Sequence, residues 1–413
     1  MPASVRRPRP HGFAARLLLC GLLFGPMLGG TAVQAQTAAP TATQTAPAPS
    51  VADQALQQAA RSDDAALADF ALERGADLER RDQLGNTPLQ VCAQYGSAAV
   101  AGLLLERGAD PAAATPDDAW TALHYAAYEG HDRVAKRLIA AGAPLDARES
   151  DHGNTPLHIA ARRLKRPVVA ALLSAGAAVD ARDRSDGNTP LINAAFDPLG
   201  TAVVAELLAA GADPTLAADD GTTALIAAAR AGAEGSLQFL VQAGADVQAQ
   251  RRDGWSALHM AAAYGHTGMV KDLLKAGIAL DQRTADGETA LGQAVETAQI
   301  DTLIALLDAG ADPNLPGGGG RPPVVLAAAA GQPGALYVLL NRGADADARE
   351  QGSGNTALML AANRARLEEV KLLLQAGADV TLKANDGWTA LAAAEMIGDD
   401  EIAALLRAAG AKE

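Results

Sequence analysis

"DGWSALHMAAAYGH", residues 253–266, decides how the rest of the chain is read. It sets Trp255, His259 and His266 around an alanine-rich centre, which suits either a metal site or one unit of a scaffold. Far upstream, "DAWTALHYAAYEGH" at 118–131 carries Trp120, His124 and His131 in the same places. Two stretches with one internal spacing point to a repeat before they point to chemistry.

The repeat runs from residue 51 to 413. Gly75, Gly108, Gly142, Gly176, Gly211, Gly244, Gly277, Gly310, Gly343, Gly377 and Gly410 fall 33 to 35 residues apart. A second anchor keeps step with them: NTPLQ, WTALH, NTPLH, NTPLI, TTALI, WSALH, ETALG, RPPVV, NTALM and WTALA. About ten full units therefore follow one partial leading unit. Thr or Ser before Pro/Ala-Leu predicts a helix N-cap with a good first helical residue. The following pair of small residues lets a neighbouring helix approach. A second helix shows an apolar face, as at Val168, Val169, Leu172 and Leu173, and Gly176 ends it in the left-handed conformation. Neither helix is long enough to stand alone, so stacked units must bury each other's Leu and Ala faces.

"GNTPLHIAA" at 153–161 and "LLSAGAAVDAR" at 172–182 resemble ankyrin repeats. The resemblance covers residues 51–413 and implies an all-α solenoid of helix-loop-helix units with hairpin-like fingers. It also implies a protein-binding scaffold, a monomer without cofactor, rather than an enzyme. The scaffold serves many unrelated functions, so the partner stays unidentified.

The N-terminus reads as a separate object. Arg6, Arg7, Arg9 and Arg16 precede an apolar run from Leu17 to Leu28, and Val33 and Ala35 are the small residues of a cleavage site. Residues 1–35 are expected to be a signal peptide, too short in its apolar run to leave a membrane anchor. Residues 36–50, "QTAAPTATQTAPAPS", read as a disordered Pro/Thr/Ala linker. Residues 1–35 hold four arginines and no carboxylate, so cleavage takes the formal charge from −14 to −18. Such an acidic chain disfavours nucleic acid as a partner. Of the two cysteines only Cys92 survives cleavage, so no internal disulfide forms.

Catalytic and metal signatures fail one by one. His124, His158 and His259 share one slot of the repeat, where the resemblance implies a ring bonded to nearby backbone, and His131 and His266 share another. A zinc site needs three or four converging ligands, and no Cys or carboxylate cluster recurs with these histidines. "GGGG" at 317–320 lacks the Lys and Ser/Thr of a phosphate loop. Cys92 replaces an alanine between helices and reads as inert. The expectation is no catalytic, cofactor or metal residue.

The aromatic residues point elsewhere. In the resembled family the variable, partner-facing positions flank the finger glycine and follow the small-residue pair. Here those positions hold Tyr95, Trp120, Tyr128, Phe196, Trp255, Tyr264 and Trp388, seven of the eleven aromatics beyond residue 35. Trp and Tyr are favoured interface anchors. Arg162 and Arg163, with Lys165 and Arg166, form a basic island on the same positions. The expected function is a non-enzymatic periplasmic scaffold that binds a protein on its concave face. The alternative is an exported effector or toxin-neutralising protein acting outside its own envelope. Fractionation separates retention in the periplasm from release to the medium.

Overall fold

The computed structural model describes residues 48–412; the signal peptide and most of the linker expected from the sequence lie outside them. The described residues form helix pairs throughout. A leading pair, Val51–Ser62 and Ala65–Glu73, is followed by ten more, from Pro88–Tyr95 with Ala98–Glu106 to Ala390–Ile397 with Asp400–Ala408. The family's hairpin-like fingers carry isolated β-bridges such as Ala114 to Thr121 and Gln250 to Ser256, and no strand among the described residues.

The predicted caps form. The hydroxyls of Thr87, Thr155, Thr189, Thr223, Thr289, Thr356 and Thr389 each accept the backbone N–H three residues on. Each such bond satisfies one of the helix's orphan donors. At the far end of each pair the repeat glycine takes a positive φ, 89° at Gly176 and 90° at Gly211, where an L side chain is disfavoured.

Burial runs in columns. The first-helix leucines Leu89, Leu123, Leu157, Leu191, Leu225 and Leu258 are buried from solvent, as are the second-helix leucines Leu104, Leu138, Leu172, Leu207, Leu240 and Leu273. Ala93, Ala127, Ala161, Ala195, Ala229 and Ala262 lie fully buried between them. The small side chains let each first helix pack on the first helices of the neighbouring repeats and on its own second helix. Stability is therefore a sum of unit and nearest-neighbour terms.

The fingers are sewn to one another. The N–H of Arg184 donates to the carbonyl of His152 (2.7 Å), Asp219 to Asp186 (2.7 Å), Arg252 to Asp220 (2.9 Å) and Ala285 to Asp253 (2.9 Å). The loops after the second helices are stitched too, by Asp146 Oδ1 to Ala178 N (3.0 Å), Asp180 to Asp213 (3.1 Å) and Asp347 to Asp379 (2.8 Å). Each of these carboxylates ties its repeat to the next.

Candidate functional site: the finger and first-helix face

Two kinds of side chain rise from this face: those just after the finger glycine and those at the C-terminal end of each first helix. Their backbone is held from below. Thr115 Oγ1 accepts the N–H of Trp120 (2.8 Å), and Asp253 and Asp386 accept those of Trp255 and Trp388 (3.1 Å each). In the third repeat Glu149 accepts from the backbone of Asp151, His152 and Asn154 at 2.6 to 3.0 Å. Burial works to raise the Glu149 carboxyl, but the donors of Asn154, Asp151 and His152 outweigh it and hold it below the usual carboxylate range.

The structure brings Trp120, Tyr128 and Arg163 together. The Trp120 ring lies 5.1 Å from that of Tyr125 and 5.8 Å, edge-on, from that of Tyr128. The guanidinium of Arg163 sits 4.3 Å over the Tyr128 ring, a cation–π contact. Tyr264 stacks on His266 with centroids 6.2 Å apart, and Arg230 lies 5.8 Å over it. Tyr95 (52% exposed), Tyr264 (51%), Phe196 (39%) and Trp388 (37%) stand open to solvent, while Trp120 and Trp255 are half-buried. Arg162 is exposed, and Arg166 of the basic island pairs with Glu206 at 3.2 Å. Sequence reasoning passed over Arg230, which occupies the slot after the small-residue pair. A search of that slot for arginines as well as aromatics finds it.

The histidines are committed to the backbone. Nδ1 of His124 accepts from Thr121 N–H (3.1 Å) and its Nε2–H donates to the Asn154 carbonyl (3.2 Å). His158 and His259 repeat this arrangement. Burial drives His124 down to about 4, against the smaller opposing pull of the Asn154 carbonyl, and lowers His158 and His259 as well. Cys92 is buried, and burial pushes its thiol up, away from the reactive thiolate. Glu149, Asp151 and His152 are the one group of potential metal ligands among the described residues, but both Glu149 oxygens already accept backbone N–H bonds. No described helix is long and apolar enough to cross a membrane.

Comparison with known proteins agrees with this architecture. The family model "Ankyrin repeats (3 copies)" matches residues 112–183, 165–251, 236–316 and 324–412, and the model "Ankyrin repeat" matches 84–116. The chain belongs to the ankyrin repeat family. Among curated proteins it is similar to protein phosphatase 1 regulatory subunit 12A of Mus musculus and of Rattus norvegicus, each 48% identical over 61 residues. That segment is 15% of this chain and 6% of each relative's length.

Proposed function

We propose that this protein is a non-catalytic scaffold that captures a protein partner on the face made by its fingers and first helices. One observation carries the reading: Tyr95, Tyr128, Arg163, Phe196, Arg230 and Tyr264 each occupy one of the two positions that follow the small-residue pair in six consecutive repeats, on a backbone stitched finger to finger. Exposed aromatics and arginines on a rigid support bind with little ordering cost. The relatives are by name regulatory rather than catalytic subunits, which fits a binding role. Their short matched segment names no partner for this chain. Export to the periplasm is part of the proposal and rests on the charge, apolar run and cleavage pattern of residues 1–35 alone.

The test is affinity capture from a periplasmic extract with the chain beginning at residue 36 as bait. A protein retained by the wild type and lost from a Tyr95→Ala/Tyr264→Ala variant of unchanged helicity supports the proposal. Equal retention by both refutes it. Fractionation of the producing cells, with the protein found outside the periplasm, would overturn the location.

A further inference from the structure

A cleft of about 660 Å³ opens between the fingers of the fourth, fifth and sixth repeats. Four carboxylates line it, Asp186, Asp219, Asp220 and Asp253, with the two guanidinium side chains of Arg251 and Arg252 and the exposed ring of Phe196. Arg251 is already committed: its Nη2 lies 3.1 Å from Asp220 and 3.3 Å from Asp253. Asp219 takes Arg182 from outside the cleft at 3.0 Å, an arrangement that needs Gly187, because a Cβ there would strike both partners. Asp186 has no ion pair among the described residues; the hydroxyl of Ser185 lies 3.4 Å from it.

The walls are fixed before any ligand arrives. The Asp219-to-Asp186 and Arg252-to-Asp220 backbone bonds join the three fingers, and Asp220 Oδ1 accepts from Thr222 N–H at 2.8 Å. An anionic group entering the cleft meets an excess of carboxylates in a chain of net charge −14. A cation meets those carboxylates and the face of Phe196. Between the two basic side chains, guanidinium is the planar, weakly hydrated one that forks onto carboxylates and stacks on aromatic rings.

We propose that this cleft receives an arginine side chain of the partner protein, its guanidinium stacked on Phe196 and forked onto Asp186 and Asp219. The proposal rests on the reading of this face as a protein-binding surface and names what one part of it recognises. It predicts a partner segment that is basic at this point.

The probe is a capped seven-residue Gly/Ser peptide with one central arginine, compared with its citrulline and glutamate counterparts. The readout is the ¹⁹F spectrum of the chain beginning at residue 36 labelled with fluorophenylalanine, with the Phe196 signal assigned by Phe196→Leu. The arginine peptide is expected to shift the Phe196 signal and leave Phe70 and Phe239 in place. The uncharged citrulline peptide binds about tenfold more weakly. An Asp186→Asn/Asp219→Asn variant of unchanged helicity loses affinity by a similar factor, and binding weakens as salt rises from about 0.05 M to about 0.5 M. Equal binding of the citrulline peptide, tighter binding of the glutamate peptide, or equal shifts at all three phenylalanines overturns the proposal. A captured partner that the Asp186→Asn/Asp219→Asn variant still retains in full overturns it as well, and leaves the scaffold reading standing.

Discussion

Gln90 and His124 occupy the same slot of consecutive repeats and make the same pair of bonds. Gln90 Oε1 accepts the N–H of Thr87 (2.7 Å), as His124 Nδ1 accepts that of Thr121 (3.1 Å). Gln90 Nε2 then donates to the carbonyl of Trp120 (2.8 Å), thirty residues on, as His124 Nε2 donates to Asn154 (3.2 Å). In these repeats the slot holds one acceptor and one donor about an imidazole's width apart. Either side chain supplies both, closing a capping box below and pinning the next finger above.

The difference between them is that only histidine titrates. Burial holds the folded-state pKa of His124 near 4, against an ordinary value of 6.5, and lowers His158 and His259 too. The unfolded chain therefore takes up protons first as pH falls. The stability these residues contribute is fully present above about pH 6.5 and is lost on acidification toward pH 4, on the order of 3 kcal/mol for His124 alone. Replacing all three by Gln, the residue that already serves in the first repeat, is expected to flatten stability across that window. Urea midpoints measured between pH 7 and pH 4 check this. An acid-side slope identical to that of the wild type would show that the carboxylates carry the whole effect.

Trp120 and Tyr264 are expected to separate packing from binding. Trp120 touches Tyr125 and Tyr128, so Trp120→Ala should lower stability by about 1–3 kcal/mol as well as weaken partner capture. Tyr264 is half-exposed, so Tyr264→Ala should change stability by no more than about 0.5 kcal/mol while still weakening capture. Thermal melts alongside capture assays check both. A Tyr264→Ala protein that melts early and binds normally would assign that ring to packing.

The fold was legible because its determinants are local and repeated: the Thr cap, the small-residue pair and the terminal glycine recur in each unit and need no long-range information. The fingers were less so. Nothing local marks Asp146, Asp180 or Asp347 as bonding to the following repeat, since one aspartate serves its own turn and the next equally well. The contact of Arg163 with Tyr128 is likewise invisible along the chain, because it joins residues of neighbouring units. The cleft beside Phe196 has the same character: three fingers supply its walls, and no single motif spells it. Gly319 and Gly320 of the eighth finger adopt φ of 66° and 67°, so glycine is the residue that backbone favours.

Cys92 and the histidines are expected to be chemically silent in the folded protein. The thiol is buried, so iodoacetamide should label it only as fast as the protein opens, and fully once it is denatured. Chelation should leave the melting temperature unchanged, because the Glu149 oxygens and the ring nitrogens of His124, His158 and His259 are spent on backbone groups. Stoichiometric zinc in the purified protein, lost together with stability on chelation, would refute this reading.

The eighth repeat is expected to be the weak joint of the array. Pro322 stands where other units carry a capping hydroxyl and makes no side-chain cap, a loss of about 1 kcal/mol. Val325 fills the slot that Gln90 or His124 uses to reach the next finger, so this unit, like those with Ile192, Ile226, Gly292, Met359 or Ala392 there, lacks that bridge in addition to its cap. The finger before it has no side chains at Gly317 and Gly318, and the Glu288 carboxylate occupies the space a Cβ would need. Glu288 Oε2 is buried there with no hydrogen-bond partner among the described residues, a further cost at the boundary between units seven and eight. The ankyrin family match itself breaks between 316 and 324. Because a stacked array is a sum of neighbouring terms, a weak unit divides it. Repeats on either side should therefore open as separable blocks in native-state hydrogen exchange, with Pro323–Ala330 and Pro333–Asn341 less protected than Ala257–Ala263 and Thr267–Lys275. Pro322→Thr should raise protection in Pro323–Ala330 first. Equal protection in the two regions would show that burial of Val324, Val325 and Leu326 outweighs the missing cap and bridge.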